Sequence, residues 1–149
     1  MDSDYSYIQS IQKKIENGEL KPSFTVSDTG ICGQDIISNN GRYSCLGYNI
    51  LDGIYAGQVG GHVYLSCNVI MSYMKMTGNI YTTDYKVVGR TASGERTSLN
   101  PGKQLLVTLD TVPYTPGKTY CVTSIGEVVF PGETTLKTQA SRLPDCKAL

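Results

Sequence analysis

The chain has 149 residues, with thirteen Lys and Arg against thirteen Asp and Glu, one His, no Trp, eleven Tyr and two Phe. That is the length of one domain, long enough to bury a core without help from a metal or a disulfide. A formal charge of zero argues against nucleic acid or an anionic membrane as the main partner, since both favour a net basic footprint, and no apolar run is long enough to span a bilayer.

The first 21 residues read as a short amphipathic helical arm. Asp2, Ser3 and Asp4 suit an N-cap and first turn, Ile8, Ile11 and Ile15 recur at helical spacing, Lys13 and Lys14 lie near the end, and Gly18 fits the stop. Pro22 closes the segment and residues 22–149 form the remaining domain. Such a stripe is too narrow for a helix this short to stand alone. Tyr7, Ile8, Ile11 and Ile15 are therefore candidate docking residues, either over an open end of the chain's own β domain or as an assembly arm on a neighbouring subunit.

From Ser23 onward the period is two. Phe24 and Val26 alternate with polar residues, and Asn40-Gly41 predicts a hairpin over 34–46. Gly53, Gly57, Gly60 and Gly61 read as turns between short strands. His62 to Met71 is the clearest strand, with Val63, Leu65, Cys67, Val69 and Met71 on one face. Asn79 to Val88 reads as a second long strand, 89–96 as a loop, and Gln104–Thr111, Lys118–Ile125 and Glu127–Phe130 as further strands. Pro101-Gly102, Pro116-Gly117 and Pro131-Gly132 recur every fifteen residues and suit type II turns. Short strands with turns at this interval indicate an antiparallel sandwich or barrel.

A fibronectin type III resemblance rests on Leu105 to Val122. An alternating strand there leads to a Pro-Gly turn, with Tyr120 four residues after Pro116 and Val122 two beyond it, and this is similar to the E-strand, turn and F-strand of that family. Val63-Tyr64-Leu65-Ser66-Cys67 in turn resembles an immunoglobulin B-strand, with Cys121 lying 54 residues on. The second resemblance implies an inter-sheet Cys67–Cys121 disulfide. The chain departs from that family in having no Trp and in placing Tyr120 one residue before Cys121, where the family uses two. Together the resemblances imply an all-β immunoglobulin-like or fibronectin III-like sandwich behind the helical arm.

Little in the sequence speaks for catalysis. His62 and Cys67 stand an odd number of residues apart on one strand, so they point to opposite faces, and His62 reads as an exposed strand-start residue. No Gly-x-Ser-x-Gly elbow, P-loop or close-spaced metal-ligand set occurs, so no cofactor and no metal is expected. Five cationic side chains between 75 and 103 face only Asp84 and Glu95, which makes Arg90 and Arg96 candidates for contact with an acidic protein partner.

The tyrosines outnumber the phenylalanines, which suits a protein whose outward strand faces are covered in an assembly. The five cysteines, Cys32, Cys45, Cys67, Cys121 and Cys146, cannot all pair within the chain; they read as buried thiols or as one or two bridges and a free thiol. The N-terminal residues are acidic and polar where a secretory signal is basic and then apolar, so synthesis in a cytoplasm is expected. The expected function is a non-enzymatic structural protein built into a larger particle through protein partners, a homo-oligomer through its arm, specifically a virion surface component such as a phage capsid decoration or fibre protein. An extracellular immunoglobulin-like adhesion or ligand-binding module is the first alternative, and a small metal-binding protein or enzyme the second.

Overall fold

The computed structural model describes residues 2–28 and 42–149. Helix α1 (Asp2–Glu16) is followed by strands β1 (Phe24–Ser27), β2 (Ser44–Tyr55), β3 (Gln58–Met71), β4 (Tyr73–Thr82), β5 (Ala92–Arg96), β6 (Gly102–Thr108), β7 (Val112–Pro113), β8 (Thr119–Val129), β9 (Lys137–Ala140) and β10 (Asp145–Ala148). One sheet has the order β1-β2-β3-β6, with β7 beside β3; the other has the order β10-β8-β4-β5, with β9 beside β8. Every pairing is antiparallel. The expected hairpin over 34–46 and the residue Cys32 fall largely or wholly outside the described residues.

Alternation builds an all-β sandwich, as expected. Val63, Leu65 and Cys67 of β3 and Leu105 and Val107 of β6 meet Met74, Met76 and Ile80 of β4 and Tyr120, Val122 and Val128 of β8 in one core. Tyr48 and Ile50 of β2 and Tyr64 of β3 point the other way and lie under Ile11, with Tyr7, Ile8 and Ile15 alongside. The first sheet is thus covered on both faces, and helix, sheet and sheet form three layers. Ile11, at 2 % exposure, packs on the chain's own sheet, so the stripe that could have served a neighbouring subunit is occupied within the chain. The helix ends where Gly18 was expected to stop it. Gly18 has φ +76°, its N–H reaches the Ile15 carbonyl and the Glu19 N–H reaches the Lys14 carbonyl, the paired bonds of a Schellman cap.

Several boundaries differ from expectation for identifiable reasons. The glycine-dense stretch is the inner half of a long β2–β3 hairpin, and its turn is Ala56-Gly57 alone. Gly61 serves close approach, since a Cβ there would stand 2.8 Å from the Ile50 carbonyl and 2.9 Å from Val122. The strand placed at Asn79–Val88 begins earlier, at Tyr73, and ends at Thr82. Residues 92–96, expected as loop, are edge strand β5, half exposed and so without an apolar face. β8 runs unbroken from Thr119 to Val129 where two strands were expected. Gly117 and Gly132 have the positive φ of the expected Pro-Gly turns, but Gly102 opens β6, with the Arg96 side chain where its Cβ would be.

The implied Cys67–Cys121 bridge is replaced by two others. Cys45 pairs with Cys67, directly opposite on β2 and β3, and Cys121 pairs with Cys146, directly opposite on β8 and β10. Parity is the reason. Tyr120 and Val122 face the core, so Cys121 between them faces outward, away from Cys67 in the core and toward the neighbouring strand. In each pair the Cα atoms are closer than in the tighter type of antiparallel pair, at 3.9 and 4.0 Å.

One flank of the sandwich is closed by side chains. β1 pairs with β2 only as far as Gly47, and beyond it the edge of β2 has no neighbouring strand among the described residues. Asp145 Oδ2 accepts the Leu51 N–H at 2.7 Å, and Lys147 Nζ donates to the Leu51 carbonyl at 3.0 Å. Farther along, Lys137 Nζ donates to the carbonyls of Ser27 and Asp28. Backbone groups that a further strand would have satisfied are met instead from the second sheet.

Candidate functional site

The most concentrated polar chemistry lies under the helix. The β2 strand bulges between Leu51 and Gly53, and this turns the Asp52 carboxylate toward α1 and β3. Asp52 Oδ1 accepts from the Tyr7 hydroxyl at 2.5 Å, and Asp52 Oδ2 stands 2.6 Å from His62 Nδ1. The Tyr7 and His62 rings lie 4.1 Å apart. Burial pushes the Asp52 carboxyl up, but the bonds from His62 and Tyr7, with the charges of His62 and Lys14, hold it below its ordinary value. Burial first, and then the bond to Asp52, push the Tyr7 phenol well above its ordinary range.

His62 is therefore not the exposed strand-start residue expected, because Asp52 and Tyr7 hold it. An imidazole oriented by a carboxylate is half of a base-and-nucleophile pair, yet among the described residues no Ser, Thr or Cys side chain bonds its ring. The arrangement pins the helix to the sheet. Sequence reasoning missed it because Asp52, Tyr7 and His62 share no spacing; the one available signal was an acidic residue beside Gly53, the only charged side chain in β2. Next to it a cleft of about 320 Å³ opens between Lys14 and Leu20 on one side and Asp145 and Lys147 on the other, floored by Leu51.

A second concentration lies at one end of the sandwich, where three loops meet. The Tyr114 N–H bonds the Gly57 carbonyl, tying the β2–β3 turn to the segment before β8. The Thr83 N–H bonds the Thr119 carbonyl, and Lys118 pairs with Asp84, tying that segment to the β4–β5 loop. The Lys118 ammonium first, and then the Lys86 N–H and the Thr82 hydroxyl, hold the Asp84 carboxyl well below its ordinary range. On this framework Tyr55 is 86 % exposed and Tyr85 70 %, with Ile54 and Val88 also exposed.

Ala56 and Tyr85, which have positive φ without being glycine, both lie at this end. Backbone strain of this kind collects at binding sites. The Tyr85 ring lies parallel to that of Tyr81, with centroids 5.5 Å apart, so its direction is set.

The remaining expected site residues separate. Arg90 belongs to this end, its side chain 91 % exposed and 3.6 Å from Asp110. Arg96 does not: its Nε donates to the Gln104 carbonyl at 2.7 Å and a further nitrogen to Asn100, so it braces the β5–β6 turn. Tyr7, Ile8, Ile11 and Ile15 come together, but against Tyr48, Ile50 and Tyr64 of the same chain. Those covered tyrosines account for part of the tyrosine excess that sequence reasoning assigned to an assembly.

No family model matches the chain, and no curated protein or solved structure matches it either.

Proposed function

We propose that this chain is an extracytoplasmic, non-enzymatic interaction module of immunoglobulin-like or fibronectin III-like build, which holds a protein partner at the loop end bearing Tyr55, Tyr85 and Arg90. The observation that carries the reading is the pair of cross-strand cysteine bridges, each set directly in register, because bridges of this structural kind persist in oxidising compartments. Strand order supports the build: β2-β3-β6 and β10-β8-β4-β5 follow the A-B-E and G-F-C-C′ orders of such sandwiches. So does Tyr120, whose hydroxyl accepts the Thr115 N–H at 2.7 Å and lies 3.2 Å from the Pro113 carbonyl, in the manner of a tyrosine corner. Exposed tyrosine and arginine on loops held by a rigid scaffold are the residue types that dominate binding surfaces.

The expectation of a virion surface component drew on the helical docking arm, the poverty of catalytic groups and a Tyr-, Gly- and Thr-rich neutral surface, and it implied free thiols. The stripe packs within the chain and four thiols are paired, so support falls to the extracellular module. Intact mass after alkylation under denaturing, non-reducing conditions, on protein from its natural source, tests the compartment. Four protected cysteines mapping to the two pairs are expected, and five alkylated ones overturn the reading. For the surface, a Tyr55→Ser, Tyr85→Ser, Arg90→Ser variant that folds normally is expected to lose the partner that cross-linking captures with the parent chain; equal capture overturns that assignment.

A further inference from the structure

The two bridges differ in access and in what they hold. Cys45 is 0 % and Cys67 6 % exposed within the core, where no external thiol can approach. Cys121 is covered too, but its partner Cys146 is exposed, on the short strand β10. Thiol–disulfide exchange needs a thiolate to reach one sulfur, and among the described residues the exposed Cys146 gives the second bridge an approach that the buried pair Cys45 and Cys67 lacks.

The strand on the far side of that bridge has little else to hold it. β10 has four residues, three of them exposed, and among the described strands it pairs with β8 alone. Among the described residues its other attachments are the Asp145 and Lys147 bonds to Leu51, the Leu149 N–H bond to the Lys118 carbonyl and the packing of Leu149 against the core edge. Beneath it lies the stretch of β2 whose outer edge has no neighbouring strand among the described residues, and the cleft between α1 and β10 is floored by that same stretch.

We infer that Cys121–Cys146 is a reducible clasp, which keeps β10 and its two capping side chains over the open edge of β2, and that a dithiol reductant opens it while Cys45–Cys67 stays closed. This rests on the two bridges of the proposed function. A thiolate of the dithiol attacks the Cys146 sulfur, and Cys121 leaves as thiolate. The second thiol of the reductant then displaces Cys146 and closes a cyclic disulfide. Two electrons pass from the dithiol to the bridge, and its two protons end on Cys121 and Cys146. Once β10 lifts, the Leu51 N–H and carbonyl lose both partners and the edge of β2 lies open to solvent.

The test uses the full chain, its two bridges first verified by mass. It is incubated at neutral pH with graded dithiothreitol, quenched by alkylation and mapped by peptide. Cys121 and Cys146 are expected to label at least about tenfold faster than Cys45 and Cys67, and the Leu51 amide to exchange at least about tenfold faster once they have, with the amides of β3 and β4 unchanged. A Cys121→Ser, Cys146→Ser variant is expected to show the same fast exchange at Leu51 without reductant. Opening of both bridges together, opening of Cys45–Cys67 first, or a Leu51 amide still protected in the reduced chain or the variant overturns the clasp. Absence of both bridges from the isolated protein defeats the proposed function and the clasp together, whereas bridges that open in another order defeat the clasp alone.

Discussion

Phe24 and Gly126 share one volume. A Cβ on Gly126 would stand 2.8 Å from Phe24 Cζ, and on the facing sheet a Cβ on Gly47 would stand 2.1 Å from the same ring. The ring fills a slot that two missing side chains leave between the sheets, and this ties β1 to both.

The slot predicts strong coupling. Phe24→Ala is expected to cost about 3–5 kcal/mol through the cavity it leaves, and Gly126→Ala about 1–3 kcal/mol through overpacking. The double variant is expected to cost at least about 1 kcal/mol less than the two together, because the added methyl enters space the ring has vacated. Urea unfolding of the three variants measures this, and simple additivity would mean that ring and glycine do not compete.

At the β2–β3 turn, Ala56 has φ +53° and Gly57 φ +77°, the conformation of a type I′ turn, in which the first position favours Asn. Ala56→Asn is expected to stabilise the protein by about 0.5–1 kcal/mol, which at this chain length raises Tm by roughly 1–4 °C. Gly57→Ala is expected to lower stability by about 1–2 kcal/mol. Thermal unfolding followed by circular dichroism separates the two signs.

Tyr120 is fully buried and its hydroxyl accepts the Thr115 N–H. Tyr120→Phe keeps the ring but leaves that amide without its acceptor, at an expected cost of about 1–3 kcal/mol. The amide exchange rate of Thr115 is expected to rise in the same variant, which distinguishes loss of this bond from a general loosening.

Docking of the helix has a pH window with two limbs. The folded Asp52 carboxyl lies below its ordinary 3.8, so its contribution is present above that value and is lost as pH falls through the folded value. The folded Tyr7 phenol lies above its ordinary 10.0, so its contribution is present below that value and is lost as pH rises beyond it. Asp52→Asn is expected to abolish the acid limb and Tyr7→Phe the alkaline one, followed by amide exchange in α1. An unchanged acid limb in Asp52→Asn would assign it to another carboxylate.

How much of this could be read from the residues depended on whether a strand had two unlike faces. β3, β6 and the first half of β8 pack one face on the core, and their period of two was visible. β2 is buried on both faces through Tyr48, Asn49, Ile50 and Leu51, so it shows no alternation and its glycines looked like turns. β5, β9 and β10 are half-exposed edge strands with no apolar face. The cysteine pairing was within reach: a core-facing Tyr120 obliges Cys121 to face outward, and the departure of one residue from the immunoglobulin pattern already carried that consequence. The Tyr7–Asp52–His62 cluster was out of reach, because it exists only once a bulge turns Asp52 toward the helix.

Each bridge joins neighbours within one sheet, and neither ties the two sheets together. For a chain tethered at its ends and pulled, each bridge short-circuits the residues between its cysteines, with sequence separations of 22 and 25. At roughly 3.5 Å per residue, about 70 Å and about 80 Å of contour are withheld from extension. The sheets can be drawn apart under load while most of β3 and most of β8 stay within their closed loops, so the molecule lengthens by a bounded amount and keeps the paired strands from which it re-forms.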